Sequence, residues 1–281
     1  MPLRGRLAPT PTGLLHVGHA LTFARAAERA AGAGVVMRIE DLDRDRCRPE
    51  YAAAALDDLR WLGLDWTEGP DVGGPHAPYE QSRRGAWFLD VWRRLEAAGA
   101  IYPSPHSRRD VEEAASAPHG PATGSDPTPP EPIFPAALRP TERERASSPG
   151  GVAWRFRVPD GRVVSFDDAR LGRVARTAGV DFGDFVVWRR DDLAAYELAV
   201  VADDHAMEIE EVVRGADLLT STARQLLLYE ALEWRPPQWC HAPLVVDAEG
   251  RRLAKRSGGL AIRELRARGL SPADVLRWPA V

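Results

Sequence analysis

The chain has 281 residues, enough to bury a full hydrophobic core in one large or two modest domains. Its 44% hydrophobic and 28% charged residues describe a soluble globular protein, with no apolar run long enough to span a bilayer. A net charge of −4 argues against an overall basic surface for nucleic acid, although arginines crowd the chain from Arg251 onward. Cys47 and Cys240 are too few for a disulfide framework or a metal knuckle. The opening MPLRGRLAPTPTG lacks the apolar core of a signal peptide, so a cytoplasmic location is expected.

In chain order, residues 5 to 13 read as a short strand running into a Pro/Gly turn. Small and apolar residues from Val17 to Ala31 support a helix, and Val35 to Ile39 a buried strand. Pro49 opens a helix through Leu62, with Tyr51, Ala55, Leu59 and Leu62 near one face, and another helix is expected from Ser82 to Ala98. Residues 116 to 150 are crowded with Pro, Ala, Ser and Gly and read as a mobile connection. Residues 152 to 188 look like short strands of an inserted β-rich subdomain. Alternating structure resumes near Tyr196, with a strand and helix across Glu210–Leu232, a strand at Leu244–Val246 and a helix started by Ser271 and Pro272. This rhythm predicts an α/β fold with parallel strands.

Chemistry concentrates at two places. His16 and His19 flank Val17 and Gly18 at the start of a helix, where free N–H groups and positive potential suit an anion and imidazoles can donate to phosphate oxygens. Gly18 lets a flat ring approach the backbone closely. The alternative is a pair of structural histidines. The second place is the basic, glycine-ended run Arg252-Leu253-Ala254-Lys255-Arg256-Ser257-Gly258-Gly259, which can serve a triphosphate or be an ordinary surface loop. Of 37 basic residues, Lys255 is the single lysine, which suggests a position needing a compact, mobile ammonium.

Together these elements resemble the HIGH and KMSKS signatures of class I aminoacyl-tRNA synthetases. Arg6-Leu7-Ala8-Pro9-Thr10-Pro11-Thr12-Gly13 resembles the RFAPSPTG opening of the glutamyl branch, and Arg38-Ile39-Glu40-Asp41-Leu42-Asp43 its RIEDTD. Tyr196-Glu197-Leu198-Ala199, Asp203-Asp204-His205 and Arg214-Gly215-Ala216-Asp217 resemble its second-half signatures. The resemblance implies a Rossmann-like parallel sheet with an inserted α+β subdomain and a short helical C-terminal tail. It divides the chain into a first half-fold at 1–98, an insertion at 99–187, a second half-fold at 188–250 and the loop and tail at 251–281.

Glutamate carries two carboxylates and an ammonium, so Arg6 and Arg214 are candidates for its side-chain carboxylate, Glu40 for the ammonium and Tyr196 for a cap. Taken singly, surface ion pairing is the commoner fate of such arginines. The family further implies that His16 and His19 hold ATP phosphates, with Thr10 and Gly18 beside them. It assigns Thr10 to the glutamate site as well, and to Lys255 the stabilisation of the transition state at phosphorus. Mg²⁺ would shield the phosphates.

The chain ends at Val281, soon after Gly259, where full-length members continue into anticodon-reading domains, and Val200 stands where those enzymes usually have Asn. It therefore resembles the short glutamyl-queuosine tRNA(Asp) synthetases of the branch. That implies transfer of activated glutamate to queuosine in the anticodon loop of tRNA(Asp), with Arg83-Arg84, Arg108-Arg109 and the basic tail as phosphate contacts, and a monomer is expected. Two alternatives stand beside this reading: delivery of glutamate to a non-tRNA acceptor, or a catalytically idle RNA- or partner-binding paralogue. One departure concerns zinc. Many short members hold it with Cys-x-Cys and Tyr-x3-Cys, but here the stretches are Tyr102-Pro103-Ser104-Pro105-His106 and Phe134-Pro135-Ala136-Ala137-Leu138. No zinc is expected; the alternative is a rebuilt site using His106 and His119.

Overall fold

A computed structural model describes residues 2–107, 109–111, 132–142, 145–245 and 261–278. The chain forms two compact units: Met1–Arg84, Ala206–Ala216 and Pro237–Val281 make the first, and Gly85–His205 with Asp217–Pro236 the second.

In the first unit, β1 (Gly5–Leu7) pairs in parallel with β2 (Val35–Met37), joined by helix α1 (Val17–Arg29). Both strands are buried throughout, as expected of a parallel sheet covered by helices. Gly5 is required by packing, because a Cβ there would sit 2.8 Å from the Ala30 Cβ. Next in the chain comes α2 (Pro49–Trp61), with proline in its first turn. Strand β8 (Glu211–Gly215) lies beside β1, where the Glu210 and Glu211 N–H groups donate to the Arg4 carbonyl. Strand β9 (Gln238–Ala242) then pairs in parallel with β8, placing His241 opposite Arg214. The strand expected at Leu244–Val246 is not formed at Leu244 and Val245, where the ladder has ended at Ala242, and Val246 lies outside the described residues. Two short helices, α6 (Ile262–Ala267) and α7 (Pro272–Leu276), send Ile262, Leu265 and Val275 into a core with Leu7, Val17, Phe23, Met37 and Leu59. Ser271 caps α7 by accepting from the Asp274 N–H at 3.3 Å.

The second unit holds α3 (Gly85–Ala98) and two antiparallel groups of strands. Strand β4 (Ala153–Phe156) lies between β3 (Ile101–Ser104) and β7 (Phe185–Trp188). Strands β5 (Val163–Asp168) and β6 (Gly172–Thr177) form a hairpin. The core there is aromatic, with Trp92 set edge-on to Trp154 and Phe156 stacked on Phe185. Helices α4 (Tyr196–Ala206) and α5 (Leu219–Ala231) follow. Helix α4 is buried from Glu197 to Asp204, and Glu197 accepts from Ser221 and Gln225 of α5.

The composition of 116–150 pointed to a mobile connection over its whole length. Within that stretch, Phe134 is buried and Arg139 bonds bidentately to Asp160 and to Asp184. Residues 112–131 lie outside the described residues. Among the described residues, no helix is long and apolar enough to cross a membrane.

Candidate functional site

The first unit gathers Arg6, Thr10, His16, Gly18, His19, Glu40 and Arg214. His16 is the N-cap of α1 in extended backbone, and its Nδ1 accepts from the Gly18 N–H at 3.1 Å. Three residues on, the His19 Nδ1 accepts from the His16 N–H at 3.2 Å. This is a capping box built from imidazoles in place of the usual hydroxyl and carboxylate. Because both Nδ1 atoms accept, the ring proton of each histidine resides on Nε2. The rings lie 3.8 Å apart at their centroids, so two N–H donors of the same kind sit together at a helix N-terminus.

Gly18 leaves room for a ring close to the backbone. A Cβ at Gly18 would stand 2.9 Å from His16 Cε1, so the flat ring folded over this glycine is the imidazole of His16.

Lys255 lies outside the described residues, so its position is not part of this geometry. The flanks of its segment are described, and both meet the two-histidine turn. A Cβ on Gly18 would be 3.7 Å from the Val245 Cγ2. Ala261 bridges His16, and the Ile262 N–H donates to the Leu15 carbonyl at 2.9 Å.

In the same unit, β1 and β8 carry the arginine pair. Arg6 and Arg214 are 5% and 4% exposed, which rules out surface ion pairing. Arg6 Nη1 reaches the Val213 carbonyl at 3.4 Å, and Arg214 donates from Nε to His241 Nε2 at 3.4 Å. The Glu40 N–H donates to the Pro9 carbonyl, which places Glu40 next to exposed Thr10. Glu40 is mostly buried, and its carboxylate is oriented by Arg38 Nη2 at 3.0 Å. The first unit thus contains two buried guanidinium groups, a mostly buried carboxylate and, at the two-histidine turn, paired imidazole donors. Tyr196 begins α4 in the second unit and is 41% exposed.

Sequence reasoning passed over Arg38 and His241, both fully buried. The signal for Arg38 was its place two residues before Glu40; for His241 it was an isolated histidine in an apolar strand. Among the expected phosphate contacts, Arg84 is corrected. It is buried and donates to the His76 and Pro78 carbonyls at 3.0 and 2.8 Å, which commits its guanidinium to the fold. Arg83 stays exposed near Glu80, and Arg108 lies outside the described residues.

Zinc does not fit the residues of the insertion. Phe134 packs with Tyr102, Val111 and Leu138, and the Arg155 guanidinium sits over the Phe134 ring at 4.4 Å. Ser104 accepts from Arg155 Nε at 3.3 Å, and the His106 ring stacks obliquely toward Phe134. An apolar cluster topped by a cation repels a divalent metal and offers it no thiolate. His119, needed for a rebuilt site, lies outside the described residues.

Comparison with known proteins gives the same family. Residues 2–278 match the family described as tRNA synthetases class I (E and Q), catalytic domain. The chain is 47% identical to the glutamyl-Q tRNA(Asp) synthetase of Nitratidesulfovibrio vulgaris, over 99% of this chain and 86% of that protein. It is 46% identical to the protein of the same name from Symbiobacterium thermophilum, over 98% and 84%. The glutamate-tRNA synthetase structure from Elizabethkingia anophelis superposes with a TM-score of 0.75 at 26% identity, covering 96% of this chain. This chain spans only 54% of that longer one. A chain with this sheet, this two-histidine turn and these relatives belongs to the class I glutamyl/glutaminyl tRNA synthetase catalytic-domain family.

Proposed function

We propose that this protein uses ATP to activate glutamate as glutamyl-adenylate and transfers the glutamyl group to queuosine in the anticodon loop of tRNA(Asp). The observation that carries the activation step is the two-histidine turn, with both ring protons on Nε2, in the same compact unit as buried Arg6 and Arg214. The names of the relatives that match nearly the whole chain support the acceptor.

In this reading Arg6 and Arg214 hold the glutamate side-chain carboxylate and Glu40 its ammonium, and Tyr196 is the candidate cap on the family resemblance alone. His16 and His19 donate from Nε2 to ATP phosphates, with Thr10 and Gly18 lining the turn. The nucleotide enters as its Mg²⁺ complex, the metal arriving with the substrate. The α-carboxylate of glutamate attacks the α-phosphorus, the bond to the bridging oxygen breaks, and pyrophosphate leaves. No protein nucleophile is required; the protein contributes positioning and charge stabilisation, with Lys255 serving the transition state. The second step moves the glutamyl carbonyl onto a hydroxyl of the queuosine ring and releases AMP. The division into half-folds at 1–98 and 188–250, an insertion at 99–187 and a loop with tail at 251–281 follows the same reading, as do a monomeric state and a cytoplasmic location.

Glutamate-dependent ATP–pyrophosphate exchange without tRNA, followed by charging of queuosine-modified and unmodified tRNA(Asp), tests this. Exchange plus charging of the modified tRNA alone is expected, and Lys255→Ala abolishes exchange in a folded protein. Exchange without charging moves the acceptor elsewhere, and no exchange with any amino acid overturns the activation step.

A further inference from the structure

Helix α2 carries a carboxylate whose position folding alone does not explain. Asp58 is fully buried, and neither side-chain oxygen has a hydrogen-bond partner. Burial is the main cause that raises its pKa, and the neighbouring Asp57 adds to it, with Arg263 and Arg266 opposing. A neutral side chain would be cheaper to bury at this place.

What Asp58 faces is the helix that follows the Lys255 segment. Arg263 Nε stands 3.6 Å from Asp58 Oδ1, and its Nη2 donates to Asp57 Oδ2 at 3.2 Å. One turn on, Arg266 Nη1 donates to the same Asp57 oxygen at 3.1 Å, with its guanidinium over the Trp61 ring. Arg263 lies in the first turn of α6, where the helix dipole disfavours a cation and the two aspartates offset that cost. At six residues α6 is too short to hold itself. Immediately before it, Ala261 bridges His16 and Ile262 bonds the Leu15 carbonyl.

We propose that Asp57 and Asp58 are positioning residues for the two-histidine turn: through Arg263 and Arg266 they hold Ala261 against His16 and so set the direction of the imidazole Nε2–H groups. The inference rests on the reading of that turn as the ATP-phosphate site. It assigns a role in nucleotide binding to an acidic pair outside the residues proposed to contact substrate.

Asp58→Asn removes the charge at nearly constant shape, and a charge exchange, Asp57→Arg with Arg266→Asp, swaps the outer pair. In pyrophosphate exchange, Asp58→Asn is expected to raise the KM for ATP about tenfold, with the KM for glutamate within about twofold and the Tm not lowered. Asp57→Arg alone has the same effect, and the double exchange recovers ATP affinity to within about threefold of wild type. An unchanged KM for ATP in Asp58→Asn, ATP and glutamate constants that rise together, or losses that follow Tm across the series overturn the proposal. NMR of the His16 and His19 ring protons, assigned with His16→Asn and His19→Asn, decides independently of activity. Asp58→Asn shifts them if the anchor sets the rings and leaves them in place if it does not. A wild-type protein inactive with every amino acid therefore overturns the activation reading while the ring resonances still judge the anchor.

Discussion

Arg214 Nε donates to His241 Nε2 across 3.4 Å, between residues that face each other in the parallel β8–β9 register. Both are buried, at 4% and 0% exposure. Because Nε2 accepts, the imidazole carries its proton on Nδ1, and His241 orients the Arg214 guanidinium.

His241→Phe is therefore expected to raise the KM for glutamate by about 10-fold to 100-fold, as for loss of about 1.5–3 kcal/mol of charge-assisted hydrogen bonding. ATP affinity stays near wild type, and His241→Gln, which keeps an acceptor, recovers part of the loss. Steady-state exchange kinetics with each substrate varied in turn measures both constants. Equal changes in the two constants would count against a role through Arg214.

Gly18→Ala separates activity from stability. Its Cβ meets the His16 ring at 2.9 Å and turns the imidazole away from its bond to the backbone. Exchange is expected to fall by about 10-fold to 100-fold, since small displacements at a reacting centre are costly. The Tm should change little, because the gain of about 1 kcal/mol for alanine over glycine in a helix offsets a loss of about 1 kcal/mol from the His16 cap. Thermal melts beside exchange rates make the comparison; a fall in Tm that accounts for the lost rate would remove the argument.

Acid stability of the first unit should depend on Glu68. Burial pushes its carboxyl up, but hydrogen bonds from His76, Arg4 and Tyr79 outweigh that and leave it below the ordinary range. A depressed carboxyl contributes stability that is complete above its unfolded value of 4.5 and is lost as pH falls through the lower folded value. Wild-type Tm should thus drop as pH falls below 4.5, while Glu68→Gln shows a lower Tm at neutral pH and a flatter acid limb. Differential scanning calorimetry across that range is the measurement, and parallel curves for the two proteins would exclude Glu68 as the group.

The insertion should hold together without metal. The Asp184 carboxylate accepts from Tyr102 Oη at 2.5 Å, from Arg139 Nε at 2.7 Å and Nη2 at 2.8 Å, and from the Val158 N–H at 2.8 Å. Burial first, then the hydrogen bond to Asp184, pushes the Tyr102 hydroxyl up, so Tyr102 stays a donor at any ordinary pH. Strong chelators should leave the Tm unchanged and elemental analysis should find no stoichiometric zinc. Asp184→Ala strands Arg139 and Tyr102 and is expected to cost about 3–5 kcal/mol in chemical denaturation. A chelator-induced fall in Tm would restore the metal.

Much of the site was legible because its chemistry is local. A histidine pair spaced three residues apart at a helix start reads as one turn, and the small and apolar residues after it place α1. Arg6 sits in the middle of the short, buried strand β1, and Glu40 follows three residues after β2, both strands being readable as short apolar runs bounded by turns. The order of elements likewise follows from periodicity and caps, as in Pro49 for α2 and Ser271 for α7.

What only the tertiary structure decided are relationships between residues far apart in the chain. Nothing around Asp57 and Asp58 announces Arg263 and Arg266, some 206 residues away, although Asp58 falls on the buried face of α2 with Ala54, Ala55 and Leu59. His241 gains its meaning from lying opposite Arg214, which depends on strand register, and Phe134 left its Pro-rich surroundings for a pocket with Tyr102 and Val111. The physical reason is the same in each case. Propensity, capping and periodicity act over a few residues and are written in order along the chain. Burial and ion pairing depend on which distant surfaces meet, and that is set by the summed packing of the whole core.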